Sequence, residues 1–120
     1  MIKLVVSPSR IKADGTPVKV IEEYIGAVNT STSLSSIAIM TSPQGWNEPG
    51  QRPEFDEFSI VLEGTLVAEC EDGIIKAKAG QAIIAQQNEW VRYSTPHPGG
   101  ARYISVCIPA FTPGTVHRDK

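Results

Sequence analysis

The sequence predicts an all-β fold, and three observations carry that prediction. Short runs of alternating or β-branched residues recur at near-regular spacing, turn-forming residues separate them, and no segment shows the apolar period of an amphipathic helix. The runs are residues 3–6, 18–24, 34–40, 58–62, 65–69, 74–77, 82–85, 90–94 and 102–108. Between them lie Asp14-Gly15-Thr16-Pro17, Ser42-Pro43-Gln44-Gly45, Glu48-Pro49-Gly50, Glu71-Asp72-Gly73 and Pro96-His97-Pro98-Gly99-Gly100. Asp-Gly supplies the positive φ that hairpins need, and proline fixes φ while withholding a ladder hydrogen bond. Many short strands in one small chain close into a barrel or stack as a sandwich, and the pattern alone fits both.

The chain has 120 residues, of which 41% are hydrophobic, enough for one domain with one core. We divide it into N-terminal strands and arm (1–30), a central barrel or sandwich (31–109) and a C-terminal tail (110–120). A formal net charge of -2 leaves no broad basic field, so neither nucleic acid nor an anionic membrane surface is the expected partner. The apolar run that begins at Met1 stops at Ser7-Pro8, too short for a signal-peptide core or a membrane span, and the expected location is the cytoplasm. Cys70 and Cys107 each sit inside an apolar run and lack the close pairing of structural zinc sites, so both are expected as reduced thiols.

One segment is more specific than the rest. Phe55-Asp56-Glu57-Phe58-Ser59-Ile60-Val61-Leu62-Glu63-Gly64, followed by Ala77-Lys78-Ala79-Gly80-Gln81 and the stretch from Gly100 to Pro109, resembles a single-domain cupin. More narrowly, it is similar to the ethanolamine-utilisation cupins. The resemblance spans about residues 45–109 and implies a small cupin barrel, a double-stranded β-helix or jelly roll, with a turn at Gly64 ending the strand that begins near Glu57.

The same resemblance exposes what is missing. The first cupin motif ends in a glutamate followed after six residues by glycine, which Glu57 and Gly64 match. Its two histidines would fall on Gln51 and Pro53, or on Gly50 and Arg52. In the second motif Gly80 matches, while the remaining positions fall on Gln86, Asn88, Val91 and Thr95, so its histidine is replaced by Val91. Transition-metal sites in such barrels need imidazoles beside the carboxylate, and this chain offers the carboxylate alone, so no metal or other cofactor is expected. If any metal bound, Glu57 would be its ligand. His97 and His117 stand in apparent loops without ligand spacing and read as surface residues.

Glu54, Asp56 and Glu57 form the one dense acidic cluster, with Gln51 ahead of it. In an extended chain Glu54 and Asp56 face one way and Glu57 the other, so the three converge only through a bend. The cluster is either a solvated approach loop with one inward acid, a recognition or acid/base site, or a weak oxygen-ligated cation site. The motif directs Glu57 inward, where burial would disfavour its charged form. Period two then directs Ser59 inward, and the alignment does the same for Val91 and Tyr93. On the last strand either Tyr103, Ser105 and Cys107 or Ile104, Val106 and Ile108 face the interior. We favour the first set, whose hydroxyls and thiol would orient a ligand.

Trp46 is expected at the lip of the barrel mouth, and Trp90 beside the lost histidine position. Arg52 and Arg92 have the fork geometry to clamp a carboxylate, or else they cover surface. No nucleophile elbow, phosphate loop, zinc-protease helix or calcium loop occurs. The expected function is a cupin that binds a small polar metabolite through Trp46, Gln51, Glu54, Asp56, Ser59, Val91, Ser105 and Cys107, as an accessory or sensing module. The alternative is a metal-independent lyase or isomerase in which Glu57 exchanges a proton and Tyr93 or Tyr103 steadies developing charge. A metal-dependent dioxygenase follows, and an acetate-kinase-type activity, implied by the ethanolamine-utilisation likeness, lacks an ATP site to support it. Residues 2–6 are expected to pair with a second copy of the chain, giving a homodimer.

Overall fold

Alternating burial on nearly every strand curls this chain into a half-barrel with one filled end and one hollow end. The computed structural model describes residues 1–120. Nine strands are present and no helix: β1 (Ser9–Ile11), β2 (Val20–Ile25), β3 (Ser36–Ser42), β4 (Trp46–Asn47), β5 (Asp56–Cys70), β6 (Gly73–Lys78), β7 (Ala82–Ala85), β8 (Val91–Thr95) and β9 (Ala101–Ile108). The hydrogen-bonded order is β1-β2-β3-β9-β5-β8-β4, with β6 and β7 also paired to β5. All pairings are antiparallel.

Most predicted runs coincide with strands to within two residues, and three differences have physical causes. Residues 3–6 form no strand; they lie outside the body, and the first strand is Ser9–Ile11, where a partner exists in β2. The two-residue β4 was too short to give a periodic signal. The predicted runs 58–62 and 65–69 are one strand of fifteen residues, β5. Gly64 therefore ends nothing. It sits mid-strand at φ +76°, and a Cβ there would collide with the Gly100 backbone carbonyl, so glycine permits both the bend and the close approach of β9. The turn lies later, at Glu71-Asp72-Gly73, and closes the β5–β6 hairpin.

Because β5 bends, its first half pairs with β9 and β7 in one sheet, and its second half with β6 and β8 in the other. The main core fills the space under the second half: Trp46, Val61, Leu66, Ala68, Ala77, Ile83, Val91, Tyr93, Ala101 and Tyr103 are buried there. Each large side chain so buried contributes about 1.5–3 kcal/mol. A smaller cluster of Phe55, Cys107 and Val116, with Phe111 against it, joins the C-terminal tail to the first sheet. Between the two clusters the barrel is open inside.

Candidate functional site

On β9, Tyr103, Ser105 and Cys107 are buried and line an internal cavity, whereas Ile104, Val106 and Ile108 turn outward. The register settles why: Ser59 lies opposite Ser105 and Glu57 opposite Cys107, and directly opposed residues share a face. Glu57 and Ser59 accordingly project into the same cavity, joined by Tyr93 from β8. The cavity measures about 470 Å3, the size of a small metabolite.

Its centre is Glu57. The carboxyl projects into the cavity, and the half-buried side chain keeps its accessible surface there. Ser105 Oγ donates a 2.6 Å hydrogen bond to Glu57 Oε2. Burial raises the Glu57 pKa above the ordinary carboxylate value, and the Ser105 bond, Lys19 and Arg118 offset part of that rise. The Tyr93 hydroxyl is close enough to favour the charged form of Glu57, yet it makes no well-formed hydrogen bond and is the one buried side-chain polar atom left without a partner. Burial first, and then the charges of Glu57 and Glu48, push the Tyr93 pKa well above its usual value. An orphaned donor beside a tuned acid is where a ligand oxygen would be held.

Three further groups complete the lining, and none was singled out from the sequence. Lys19 is nearly buried; its ammonium stands 3.4 Å from the Tyr103 hydroxyl and 3.9 Å from the centroid of the Trp46 ring, and no carboxylate bonds it directly. Tyr103 also shares a 3.1 Å hydrogen bond with Ser42, and burial raises its pKa while Lys19 opposes the rise. Glu48 is buried, and its pKa is raised by desolvation against the pull of Lys19 and Arg118. Arg118 Nη1 bonds Glu48 at 2.9 Å and Gln51 at 2.8 Å, and its Nε pairs with Asp14 at 2.5 Å. Lys19 sits in the predicted run 18–24 but just ahead of β2 in the structure, Arg118 lies in the tail, and Glu48 belongs to a turn signal; only the tertiary fold brings them together.

The tail around Arg118 closes one side of the cavity. Backbone bonds run from Arg52 N to His117 O, from Glu54 N to Thr115 O and from Asp119 N to Gly50 O, so residues 115–119 lie across residues 50–54 as a strap. Val116, His117 and Arg118 line the cavity from the strap, and Phe111 and Pro113 line it just ahead of the strap.

Several expected site residues lie elsewhere. Trp46 is not a lip: it is wholly buried in the core, its indole donating to the Asp14 carbonyl at 3.3 Å, because the two-residue β4 pins it under β8. Val91 packs in the same core rather than on the cavity wall. Glu54 is exposed and pairs with His117, and Asp56 accepts from the Gln87 amide at 2.9 Å, so neither lines the cavity. Gln51 does line it, bonded to Arg118. Arg52 and Arg92 are surface residues paired with Glu71 and Glu69. Trp90 donates to Asp119 at 2.9 Å and packs on Gly50. Both cysteines are free, and burial raises the Cys107 thiol far above its ordinary pKa.

The donor chemistry does not fit a cupin metal. No three histidine, cysteine, aspartate or glutamate side chains converge anywhere in the chain. The histidine positions of the first motif hold Gln51, already bonded to Arg118, and Pro53, and Glu48 is engaged by a guanidinium. A transition ion placed against Glu57 would meet hydroxyls and an ammonium rather than imidazoles.

The fold and cavity define the class: a single-domain cupin fold, curled from two antiparallel sheets, with Glu57 facing its interior. Among solved structures the chain is similar to the EutQ protein of Clostridium difficile, at 20% identity and a TM-score of 0.66, covering 79% of this chain and 65% of that one. It is also similar to Pac13 of Streptomyces, a nucleoside dehydratase, at 14% identity and a TM-score of 0.76, covering 100% and 91%. No family model matches. In sequence, 101 residues are 44% identical to a part of the endoribonuclease YbeY of Myxococcus xanthus, which covers 84% of this chain and 34% of that protein. The chain thus spans about a third of the length of the curated relative it matches. No helix is long and apolar enough to cross a membrane.

Proposed function

We propose that this chain binds a small polar metabolite in the β5–β8–β9 cavity and carries out metal-independent proton transfer on it, as a lyase or isomerase. The observation that carries the reading is Glu57: a cavity-lining carboxyl with a raised pKa, oriented by Ser105 and next to an unpartnered tyrosine hydroxyl. Burial weakens the acid, so the Glu57 carboxylate is a better proton acceptor than an exposed one and still returns the proton to a leaving group. Glu57 takes the proton from a carbon beside a carbonyl. The electron pair moves onto the carbonyl oxygen, where Lys19 and the Tyr103 hydroxyl offer positive charge and a donor. In an elimination, the β-hydroxyl then leaves with the proton returned by Glu57, and water is the second product. In an isomerisation, the proton returns to a neighbouring carbon.

Pac13 is described as a nucleoside dehydratase, and its variants are known with uridine bound, which supports an elimination on this fold; the likeness is of fold, and uridine is not assigned to this chain. The second reading is an accessory or sensing module that holds its metabolite without turnover, and it is favoured by the Arg118-tied strap across the cavity. An endoribonuclease role, named for the M. xanthus relative, gains no support from a cavity of metabolite size or a net charge of -2.

The test is incubation in deuterated water with a panel of hydroxy-carbonyl metabolites, followed by proton NMR. The wild type should exchange a carbon-bound proton or release water, and Glu57→Gln should bind the same compound without exchange. Binding without any exchange in the wild type would establish the second reading, and binding of no small molecule would overturn both.

A further inference from the structure

The cavity changes character along its length. Three side chains of β9 stand in line on its wall, Tyr103, then Ser105, then Cys107. At 3.3 Å per residue the first and last Cα atoms are about 13 Å apart. Beside Tyr103 is the Lys19 ammonium, 3.4 Å from the phenol oxygen. Ser105 holds Glu57 through the 2.6 Å bond from its hydroxyl. Around Cys107 the wall is made of Phe55, Phe111 and Val116. The order along the cavity is therefore cation, acid, apolar wall.

The polar side chains nearest that apolar wall in the chain are already engaged. Ser36, opposite Cys107, accepts the Phe111 amide at 2.9 Å. His117 pairs with Glu54, and Arg118 is held by Glu48, Gln51 and Asp14. The Cys107 thiol is only a weak donor. Phe55 and Phe111 meet edge to face with centroids 5.8 Å apart, and Phe55 is 1% exposed, so the half-buried Phe111 is the ring that keeps free surface. A ligand polar at every position would lose hydration at this end without recovering a hydrogen bond. A ligand with an apolar ring there loses nothing and gains an aromatic contact.

We propose that the substrate is a β-hydroxy carbonyl compound bearing an apolar ring on its hydroxyl-bearing carbon. The carbonyl oxygen lies at Lys19 and Tyr103, the carbon next to it at Glu57, and the ring against Phe111 and Phe55. The chemistry rests on the proton-transfer reading; the class of compound rests on the wall. Carbonyl, acidic carbon, β-carbon and ring follow one another in such a molecule in the same order as cation, acid and apolar wall follow in the cavity. Glu57 takes the proton from the carbon beside the carbonyl, and the carbon–oxygen bond of the β-hydroxyl breaks as the carbon–carbon double bond forms. The proton goes back to the departing hydroxyl. The products are water and an unsaturated carbonyl compound conjugated with the ring. A cavity of about 470 Å3 has room for a molecule of this size.

The experiment compares two ketones, 4-hydroxy-4-phenylbutan-2-one and 4-hydroxypentan-2-one, in which a methyl group replaces the phenyl. Affinity is measured by isothermal titration calorimetry on the wild type and on Phe111→Ala, and turnover by proton NMR in deuterated water. The wild type should bind the phenyl ketone at least about tenfold more tightly than the methyl ketone, and Phe111→Ala should bring the ratio to within about threefold. Nuclear Overhauser contacts from the bound phenyl to the Phe111 ring, read on the wild type, test the same placement without a variant that has to fold. Equal affinity for the two ketones, a phenyl group in contact with neither phenylalanine, or no binding of either ketone at millimolar concentration would each overturn the inference. Preference for the phenyl ketone without exchange or release of water supports the ring-bearing ligand and removes the proton-transfer reading. Turnover of both ketones with no preference does the reverse.

Discussion

Lys19 holds its ammonium 3.9 Å from the centroid of the Trp46 ring, so a wholly buried indole carries a cation into the cavity that also contains Glu57 and Glu48. The ring supports the charge through its electron-rich face, and Tyr103 receives one ammonium proton. Lys19 in turn pulls the pKa of both glutamates down against the push of burial. Lys19→Met keeps the stem on the ring and removes the charge. Both glutamate pKa values should then rise further, and any activity that needs ionised Glu57 should move to higher pH. Carboxyl carbon chemical shifts followed through a pH titration measure this directly; an unmoved Glu57 curve would show that the two charges do not communicate.

Glu57→Gln should stabilise the fold at neutral pH. Below the ordinary carboxylate value both folded and unfolded chains hold the Glu57 proton. As pH rises through 4.5 the unfolded chain loses it first, and stability falls until the folded carboxyl has ionised too. Glutamine removes that fall while still accepting from Ser105. The gain is expected at pH 7 and absent at pH 4, measured by urea denaturation at both values.

Arg118→Met tests the strap. The guanidinium satisfies Glu48, Gln51 and Asp14 together, and without it Glu48 is a buried carboxylate with Lys19 as its remaining opposing charge. Breaking such a pair costs about 3 kcal/mol when the remaining group stays charged. The loss should be larger at pH 8 than at pH 5, where Glu48 can protonate. Amide hydrogen exchange should quicken at residues 115–119 before it changes in β5 or β9.

Gly64→Ala should destabilise by about 2–4 kcal/mol, because the added methyl meets the Gly100 carbonyl at a backbone conformation that alanine rarely adopts. Gly45, also at positive φ but with open space around its Cβ position, is the control and should lose less on the same substitution. Thermal melting of the two variants decides between a steric corner and a general cost of leaving glycine.

Protein prepared without chelator should carry no stoichiometric iron, manganese, nickel or zinc. One carboxylate among hydroxyls and ammonium groups is a poor transition-metal site. Elemental analysis showing close to one metal per chain, lost in Glu57→Gln, would contradict this.

The strands, the inward Glu57 and the cavity face of β9 were readable in the sequence because each is written with period two, and the burial pattern of β9 follows that period without a break. Trp46 was misread because a two-residue strand leaves no periodic trace, so a core anchor looked like a loop residue. Gly64 was misread because a glycine that bends a strand and a glycine that ends one look alike until the partner strand is known. Lys19, Glu48 and Arg118 were invisible for a different reason. They meet across large sequence separations, Glu48 and Arg118 lying 70 positions apart, and nothing local marks such a meeting.

The fifteen-residue β5 also sets where this molecule can breathe. Its first half holds Glu57 and its second half the closed core, so one covalently continuous strand ties both sheets at fixed distance, and the seam along β5 cannot act as a hinge. On the proposed function, a ligand would come and go on the side away from that seam, where the barrel is closed by side-chain ion pairs and a few backbone bonds of the tail instead of a full ladder. Exchange of that ligand would then depend on the Arg118 contacts more than on the ladders of the two sheets, so the two could be tuned separately.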